Sequence, residues 1–255
     1  MIRIVAPSIA TSVQDQGRFG YRTLGISRSG AMDPLSLATA NKIAGADPAA
    51  AGIEFGPGTL VVEVTAGGTI CIGGAPRIGV PCWQLLEVSG GQRLELSGPT
   101  SGMWSYLAVG GGIDAPVVMG SRSTQVREGI GSWLAPGAAV GRSDQHAPPE
   151  PVQPPPLAGP VRLHGKLAGR WRVGARVDRM GYQLEGERLP GGRSDEWSEP
   201  LLPGCVQLPP SGQPIILMAE GPTVGGYSVP AVVHSEDLRL VAQTPPGGEL
   251  HFIQP

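Results

Sequence analysis

Residues 53–74 read IEFGPGTLVVEVTAGGTICIGG, and this stretch shows the pattern from which the fold is predicted. Short apolar runs at 60–64 and 69–72 are separated by segments that contain glycine and proline. In the run LVVEV (60–64), one polar residue among apolar ones is typical of a half-buried antiparallel strand. Because glycine and proline favour turns, the stretch predicts short strands joined by tight connections.

The same pattern continues along the whole chain. Predicted strands lie at 2–6, 60–64, 69–72, 92–96, 103–109, 161–164, 171–177, 205–208, 214–219, 231–234, 239–243 and 249–253. The 255 residues include 40 Gly and 27 Pro, which interrupt long helices, while 40% hydrophobic residues are enough to form a core. The prediction is a mainly β protein built from barrels or sandwiches rather than from βαβ units.

One helix and one linker interrupt the strands. Asp33 is a suitable N-cap, Pro34 suits the first helical position and Gly45 suits the C-terminal end, which predicts a helix near 33–44. Residues 147–160, APPEPVQPPPLAGP, predict an extended, semi-rigid linker. We therefore predict β-rich lobes at 1–146 and 161–255, which together form one functional domain.

Charge and apolar runs exclude several classes of protein. A net charge of −2 gives no electrostatic reason to bind nucleic acid or an anionic membrane. The longest apolar run, at 215–219, is far shorter than the roughly 20 residues that span a bilayer. The N-terminus MIRIVAPS has no signal-peptide core, so we predict a cytoplasmic protein. Cys71, Cys82 and Cys205 have no CxxC spacing and are interpreted as small core residues.

Common local signatures of cofactor chemistry do not occur. Neither Lys42 nor Lys166 lies in a Gly-Lys-Ser/Thr loop, so we predict that ATP is handled by another chain. Neither lysine has the Met-Lys-Met setting of a biotin acceptor. The four histidines lack the paired spacing of a metal site, and we predict no metal in this chain.

Polar residues instead cluster in glycine-containing loops. These loops lie at 11–20, 27–33, 120–124, 177–182 and 223–227. Gly120-Ser-Arg-Ser-Thr124 combines hydroxyls with a guanidinium, a composition suited to an anion. Taken singly, each loop is more often a turn fixed by a structural ion pair than a site, but five such loops in one chain favour a pocket formed by some of them.

Eight motifs in order resemble the biotin-dependent carboxyltransferase family, also called allophanate hydrolase subunit 2-like. They are TSVQDQGRFGY (11–21), SGAMDPLSLATANKIAG (29–45), IEFGPGTL (53–60), YLAVGGGID (106–114), MGSRST (119–124), VDRMGYQLEG (177–186), SEPLLPGCVQLPPSGQPIIL (198–217) and TVGGY (223–227). The resemblance implies a cyclophilin-like β-barrel architecture with two barrel-like lobes and one or two short helices.

The resemblance also implies work within an assembly. The expected function is that of one component of an ATP-dependent 5-oxoprolinase complex, which opens 5-oxo-L-proline to L-glutamate. The implied partners are a KipI-like protein and a LamB/YcsF-like protein, and the implied substrate is a small amide. The chain itself would carry no cofactor, the complex would use ATP, and the chain alone would be inactive.

Two alternatives stay open beside this expectation. The first is half of the carboxyltransferase region of a urea or amide carboxylase, with biotin on another chain. The second is a KipA-like antagonist that binds a KipI-like kinase inhibitor and has no catalytic activity.

The family motifs contain the candidate site residues. We predict Asp15 as an acid or base, Arg18 as a clamp for carboxylate or phosphate, and Asp178 as a further catalytic group. The predicted substrate-binding residues are Ser29, Ser121, Arg122, Ser123, Thr124, Arg179, Gln207, Thr223 and Tyr227. Each charged residue among them could instead form a buried structural pair that fixes a loop.

Overall fold

The computed structural model describes residues 1–190 and 197–254. It divides into two compact units, one of Met1–Arg18 and Ser29–Pro156, the other of Phe19–Arg28 and Leu157–Pro255. The predicted lobe boundaries were 146 and 161, and the predicted second lobe includes residues 191–196 and 255, which lie outside the described residues. The division after Pro156 falls inside the Pro-rich segment 147–160.

The first unit consists of two five-stranded antiparallel sheets and a helix. Its strands in chain order are β1 (Ile2–Ala6), β2 (Ser12–Gln14), β3 (Gly52–Phe55), β4 (Leu60–Val64), β5 (Gly68–Gly74), β6 (Leu86–Val88), β7 (Arg93–Leu96), β8 (Ser105–Val109), β9 (Ile113–Asp114) and β10 (Ala139–Arg142). One sheet has the order β7-β4-β1-β10-β9 and the other β2-β3-β8-β5-β6. Apolar side chains of both sheets, among them Ile4, Val62, Ile53 and Leu107, form one buried cluster.

Helix α1 (Pro34–Ala44) confirms the predicted helix. The Asp33 carboxylate accepts the Ser36 N–H at 3.0 Å, and Gly45 ends the helix with φ of +85°. Ala40, Ile43 and Ala44 pack against Cys71 and Ala108 of the second sheet. Burial raises the pKa of the Cys71 thiol to about 12, so this cysteine behaves as the predicted small core residue.

The N-terminus of α1 is held by a buried tyrosine. The Tyr106 hydroxyl accepts the Asp33 N–H at 2.7 Å and donates to Glu54 Oε2 at 3.0 Å. Burial, followed by the charges of Glu54 and Asp33, holds the pKa of Tyr106 well above its ordinary value. This phenol therefore stays protonated and connects β3, β8 and the start of the helix.

The second unit contains a closed seven-stranded barrel. Its strands are β11 (Val161–Gly165), β12 (Gly169–Val177), β13 (Gly181–Glu185), β14 (Glu199–Pro200), β15 (Cys205–Leu208), β16 (Ile215–Leu217), β17 (Val224–Gly225), β18 (Ser228–Val233) and β19 (Glu249–Ile253). The barrel order is β11-β18-β15-β16-β13-β12-β19, and β14 pairs with β17 as a separate ribbon. The closed barrel and the predominance of strands confirm the predicted mainly β class.

The predicted strand at 239–243 is wrong, because this segment is helix α2 (Leu238–Gln243). Asp237 precedes the helix and accepts three hydrogen bonds from Arg162, which holds the pKa of its carboxyl below the ordinary value. The Tyr182 hydroxyl donates to the Ala242 carbonyl at 2.9 Å. A short apolar run does not by itself distinguish strand from helix, and here tertiary contacts decide. Within the described ranges, neither helix is long and apolar enough to span a membrane.

A buried guanidinium joins the loops at one end of the first unit. Arg77 donates to the carbonyls of Gly56, Gly58 and Gly98 at 2.7–2.9 Å and to the Ser105 hydroxyl at 2.7 Å. Burial lowers the pKa of Arg77 to about 10, so the side chain is still charged at neutral pH. Its fork of donors binds the carbonyl of the buried Gly56 and connects it to the segments that contain Gly58 and Gly98.

Replacing Arg77 with Met keeps the length of the side chain and removes its donors. Because the buried Gly56 carbonyl then loses its donor and four other hydrogen bonds of the guanidinium are lost, we expect the free energy of unfolding to fall by at least ~2 kcal/mol in urea denaturation. Arg93→Met, on the exposed side of β7, is the matched control and should change it by less than ~0.5 kcal/mol. Equal stability of the two variants would contradict this role for Arg77.

Candidate functional site

The loop at 120–124, predicted to bind an anion, binds the carboxylate of Asp15 in the same chain. Asp15 Oδ1 accepts the hydroxyls of Ser121 and Ser123 at 2.6 and 2.5 Å and the Gly17 N–H at 2.8 Å. Its Oδ2 accepts the Arg122 N–H at 2.6 Å. Oδ1 thus accepts three donors and Oδ2 one, where each carboxylate oxygen has about two acceptor positions.

Asp15 therefore connects the loop that contains it to the loop at 119–124. Its side chain is buried, with 9% of the residue exposed, and the hydroxyls expected to bind a substrate oxyanion donate to it instead. Four hydrogen bonds from two loops fix the position of this carboxylate. This geometry fits a structural role, and the acid or base role of Asp15 stays a prediction.

Three more predicted residues of the first unit bind protein groups. Arg18 is 1% exposed and donates to the Ser123 carbonyl. The Ser29 hydroxyl donates to the Thr124 carbonyl at 2.8 Å, and the same carbonyl accepts the Gln14 amide at 3.2 Å. These contacts extend the cluster around Asp15 and bury its polar groups.

Arg122 does not direct its guanidinium towards the cluster. Its Nη1 contacts Asp114 Oδ1 at 2.9 Å and also donates to the Ala115 carbonyl. Only the backbone N–H of Arg122 contributes to the binding of Asp15. The predicted oxyanion clamp is thus occupied by an ion pair at the end of β9.

The second unit has a cavity of about 720 Å³ beside the barrel. This volume is within the range of roughly 300–1,000 Å³ that is common for small-molecule sites. The lining residues are Ala175, Arg176, Val177, Asp178, Met180, Gly181, Gln183, Gln207, Pro209, Ser211, Ile215, Leu217, Pro222 and Tyr227. The lining combines an apolar surface with a few polar side chains, as ligand sites usually do.

Strand register places the polar groups of this cavity on the outer face of the barrel. Ile215 of β16 is paired with Gln183 of β13 on one side and with Gln207 of β15 on the other. The next pairing, of Ile216 with Tyr182 and Val206, lies in the interior, where all three residues are fully buried. Because side chains alternate between the faces of a strand, both glutamines face away from the barrel core.

Gln207 is the most enclosed polar side chain of the cavity, with 6% of the residue exposed. Its carboxamide makes no hydrogen bond to residues 1–190 or 197–254. A Cβ atom at Gly225 would lie 2.7 Å from Gln207 Nε2, so the glycine leaves space for the amide. Because the amide has no hydrogen-bond partner in the described residues, its donor and acceptor can pair with complementary groups of a ligand.

A buried ion pair holds two of the cavity-forming segments together. Arg179 Nε lies 2.5 Å from Glu220 Oε1, and both side chains are about 95% buried. The Glu220 N–H donates to the Arg179 carbonyl at 2.8 Å, and the Met218 N–H donates to the Met180 carbonyl at 2.9 Å. Arg179 is therefore a framework residue, while its neighbours Asp178 and Met180 line the cavity.

The other predicted residues of this unit fall into two groups. Asp178 and Tyr227 line the cavity, although Asp178 Oδ1 also accepts the N–H groups of Met180 and Gly181 at 2.7 and 3.1 Å. Thr223 is not among the lining residues, and its carbonyl accepts the Leu201 N–H at 2.9 Å. The structure thus brings Asp178, Gln207 and Tyr227 together in one cavity.

Sequence reasoning missed three polar lining residues, Arg176, Gln183 and Ser211. Gln183 could have been found from its motif, because it follows Tyr182 in a strand of alternating burial. Arg176 lies in an irregular part of the pairing between β12 and β13. There, the four-residue step from Val173 to Val177 on β12 is opposite a two-residue step, from Leu184 to Tyr182, on β13. Such a bulge has no clear sequence signal and redirects side chains.

Comparison with known proteins gives one consistent family. The profile described as carboxyltransferase domain, subdomain A and B, matches residues 24–164 and 159–254. The chain is 37% identical to the C subunit of 5-oxoprolinase from Escherichia coli (strain K12), over 100% of this chain and 91% of that protein. It is 32% identical to the Haemophilus influenzae protein of the same name, over 99% and 90%. Urea amidolyase of Saccharomyces cerevisiae is 27% identical over 99% of this chain and 16% of its own length.

Solved structures agree with these relatives. The crystal structure of TTHA0988 superposes with a TM-score of 0.88 at 32% identity and covers 99% of this chain. The chain spans 55% of the length of that protein. Kluyveromyces lactis urea carboxylase gives a TM-score of 0.87 at 26% identity, over 99% of this chain and 27% of its own. The family resemblance predicted from the eight motifs is confirmed.

Replacing Asp15 with Asn separates a structural from a catalytic role. In either orientation the amide NH2 faces a donor, the Arg122 N–H or the three donors of Oδ1, and the charge is lost, so we expect a loss of at least ~2 kcal/mol in the free energy of unfolding. Asp114→Asn is the matched control, because it removes an exposed carboxylate, and it should cost less than ~1 kcal/mol. An Asp15→Asn variant with wild-type stability but no activity in its complex would support the catalytic role instead.

Proposed function

The chain belongs to the carboxyltransferase domain family of subdomains A and B, and we propose that it is the C subunit of an ATP-dependent 5-oxoprolinase. The observation that carries this proposal is the 37% identity to the Escherichia coli C subunit over the whole chain and 91% of that protein. In this proposal the complex opens 5-oxo-L-proline to L-glutamate with ATP and water. A LamB/YcsF-like protein and a KipI-like protein complete it.

The chemistry of the barrel cavity supports binding of a small amide. The Gln207 carboxamide offers one donor and one acceptor on the same edge. In a lactam such as 5-oxoproline the N–H and the C=O also lie on one edge, because the ring holds the amide in the cis form. The two edges can therefore pair through two hydrogen bonds.

The remaining lining residues would exclude water around the lactam. Met180, Ile215 and Leu217 provide apolar surface, while Tyr227 and Ser211 supply hydroxyls. In this proposal the chain binds and orients the amide. ATP is bound elsewhere in the complex, and no residue of this chain is assigned to it.

Carboxyl transfer to urea is the second candidate function. The observation in its favour is that Saccharomyces cerevisiae urea amidolyase and Kluyveromyces lactis urea carboxylase match along 99% of this chain. Urea also presents a C=O and an N–H on one edge, so Gln207 would pair with either compound. The substrate of the assembled complex decides between the two functions.

The decisive experiment is co-expression of the chain with its LamB/YcsF-like and KipI-like partner proteins, followed by an assay of ATP hydrolysis. We expect hydrolysis that depends on 5-oxo-L-proline and forms glutamate, and no hydrolysis by the chain alone. Urea-dependent consumption of a carboxylated biotin carrier, without activity on 5-oxoproline, would overturn the proposal in favour of carboxyl transfer. A complex without either activity would also overturn it.

Replacing Gln207 with Leu tests the role of the cavity within that complex. We expect kcat/KM for 5-oxoproline to fall at least ~10-fold, or about 1.4 kcal/mol, because the paired hydrogen bonds are lost. The melting temperature should not fall, since the amide has no hydrogen-bond partner within the described residues. Gln153→Leu, in the exposed Pro-rich segment, is the matched control and should keep wild-type kinetics. Wild-type kinetics in Gln207→Leu would remove the cavity from the proposed site.

A further inference from the structure

Arg176 is a cavity-lining side chain for which neither the motifs nor the proposed amide contact gives a role. It lies near the end of β12, is solvent-exposed and contributes to the wall of the cavity. It makes no hydrogen bond or ion pair with residues 1–190 or 197–254. The guanidinium is therefore available to a group that enters the cavity from outside.

Each of the arginines that sequence reasoning selected binds a group of the chain. Arg18 donates to the Ser123 carbonyl, Arg122 pairs with Asp114, and Arg179 pairs with Glu220. Arg176 differs from them because the bulge between Val173 and Val177 places it at the cavity. Among the lining residues that the structure describes, it is the one guanidinium.

We propose that Arg176 forms a carboxylate subsite of the barrel cavity, and that the cavity takes a small acid carrying both a carboxylate and an amide. The inference rests on the proposed function and deepens it. A planar guanidinium binds a carboxylate through two parallel hydrogen bonds. Gln207, nine-tenths buried and without a hydrogen-bond partner in the described ranges, pairs with the amide edge.

The lining charges agree with an anionic ligand. Asp178 is the one carboxylate in the described lining, and its Oδ1 already accepts two backbone N–H groups. Of the two charged residues in the described lining, Arg176 is thus the one without a hydrogen bond or ion pair to the described residues. The subsite also supplies selectivity, since urea and simple lactams have the amide edge but no carboxylate. Such compounds would gain nothing from Arg176.

The test uses the assembled complex with 5-oxo-L-proline as substrate and 2-pyrrolidinone, the same lactam without the carboxylate, as competitive inhibitor. In Arg176→Gln we expect the KM for 5-oxoproline to rise at least tenfold, while the inhibition constant of 2-pyrrolidinone stays within twofold. Arg176→Lys keeps the charge but loses the paired donors, so its KM should lie between those of wild type and Arg176→Gln. Arg172→Gln, an exposed arginine of the same strand outside the cavity, is the matched control and should change neither constant.

The outcomes separate this inference from the proposed function. A wild-type KM in Arg176→Gln overturns the subsite and leaves the proposed function intact. A parallel rise of the 2-pyrrolidinone constant also overturns it, because the substitution would then disturb the whole cavity. If the wild-type complex does not act on 5-oxoproline, the proposed function fails. Calorimetric titration of 5-oxoproline and 2-pyrrolidinone into the wild-type and Arg176→Gln complexes then tests the subsite. A tenfold loss of affinity in Arg176→Gln for 5-oxoproline alone supports it. Equal affinities of the two complexes for 5-oxoproline, or no binding to the wild-type complex, overturn it.

Discussion

The buried ion pair between Arg179 and Glu220 is the contact on which the cavity of the second unit depends. It joins the turn before β13 to the segment after β16, and both segments contribute lining residues. Two backbone hydrogen bonds between the same segments reinforce it. Removing one partner of such a pair typically costs about 3–5 kcal/mol, because a charge is left buried and uncompensated. The pair therefore fixes Asp178, Met180 and Pro222 around one space.

The first unit uses buried charges in the same way. The Asp15 carboxylate accepts four hydrogen bonds from two loops, and the Arg77 guanidinium donates to carbonyls and a hydroxyl. In both cases the charged group is buried and holds loops of the first unit together. In the second unit, polar groups without protein partners among the described residues, Gln207 and Arg176, face a cavity. The contrast between charged groups that hold loops together and polar groups that face a cavity is what assigns the candidate site.

Much of the fold was predictable from local chemistry. Asp33, Pro34 and Gly45 predicted α1 because each residue has one structural preference, and the alternation in 60–64 predicted β4. The 239–243 segment failed because its form is set by Arg162 and Tyr182, which are distant in sequence. The closed barrel likewise depends on pairings between distant strands, such as β11 with β19.

The candidate site was predictable only in part. Gln207, Asp178 and Tyr227 lie in family motifs and meet in the cavity. Arg18, Arg122 and Arg179 had the right chemistry for a carboxylate, but each binds a group of the chain. Residue type alone does not tell a guanidinium that binds the chain from one that faces a cavity. Arg176 depends on a bulge in strand register that the sequence does not specify.

The central claim is that the barrel cavity binds the amide substrate, and methyl NMR of the assembled complex tests it most directly. The chain is labelled at its methionine and isoleucine methyl groups, and 5-oxo-L-proline is titrated to saturation. Met180 and Ile215 line the cavity, whereas Ile53 and Ile72 lie in the core of the first unit. We predict chemical-shift changes at Met180 and Ile215 and unchanged signals at Ile53 and Ile72. Saturation of the complex with no change at Met180 and Ile215 would contradict the account.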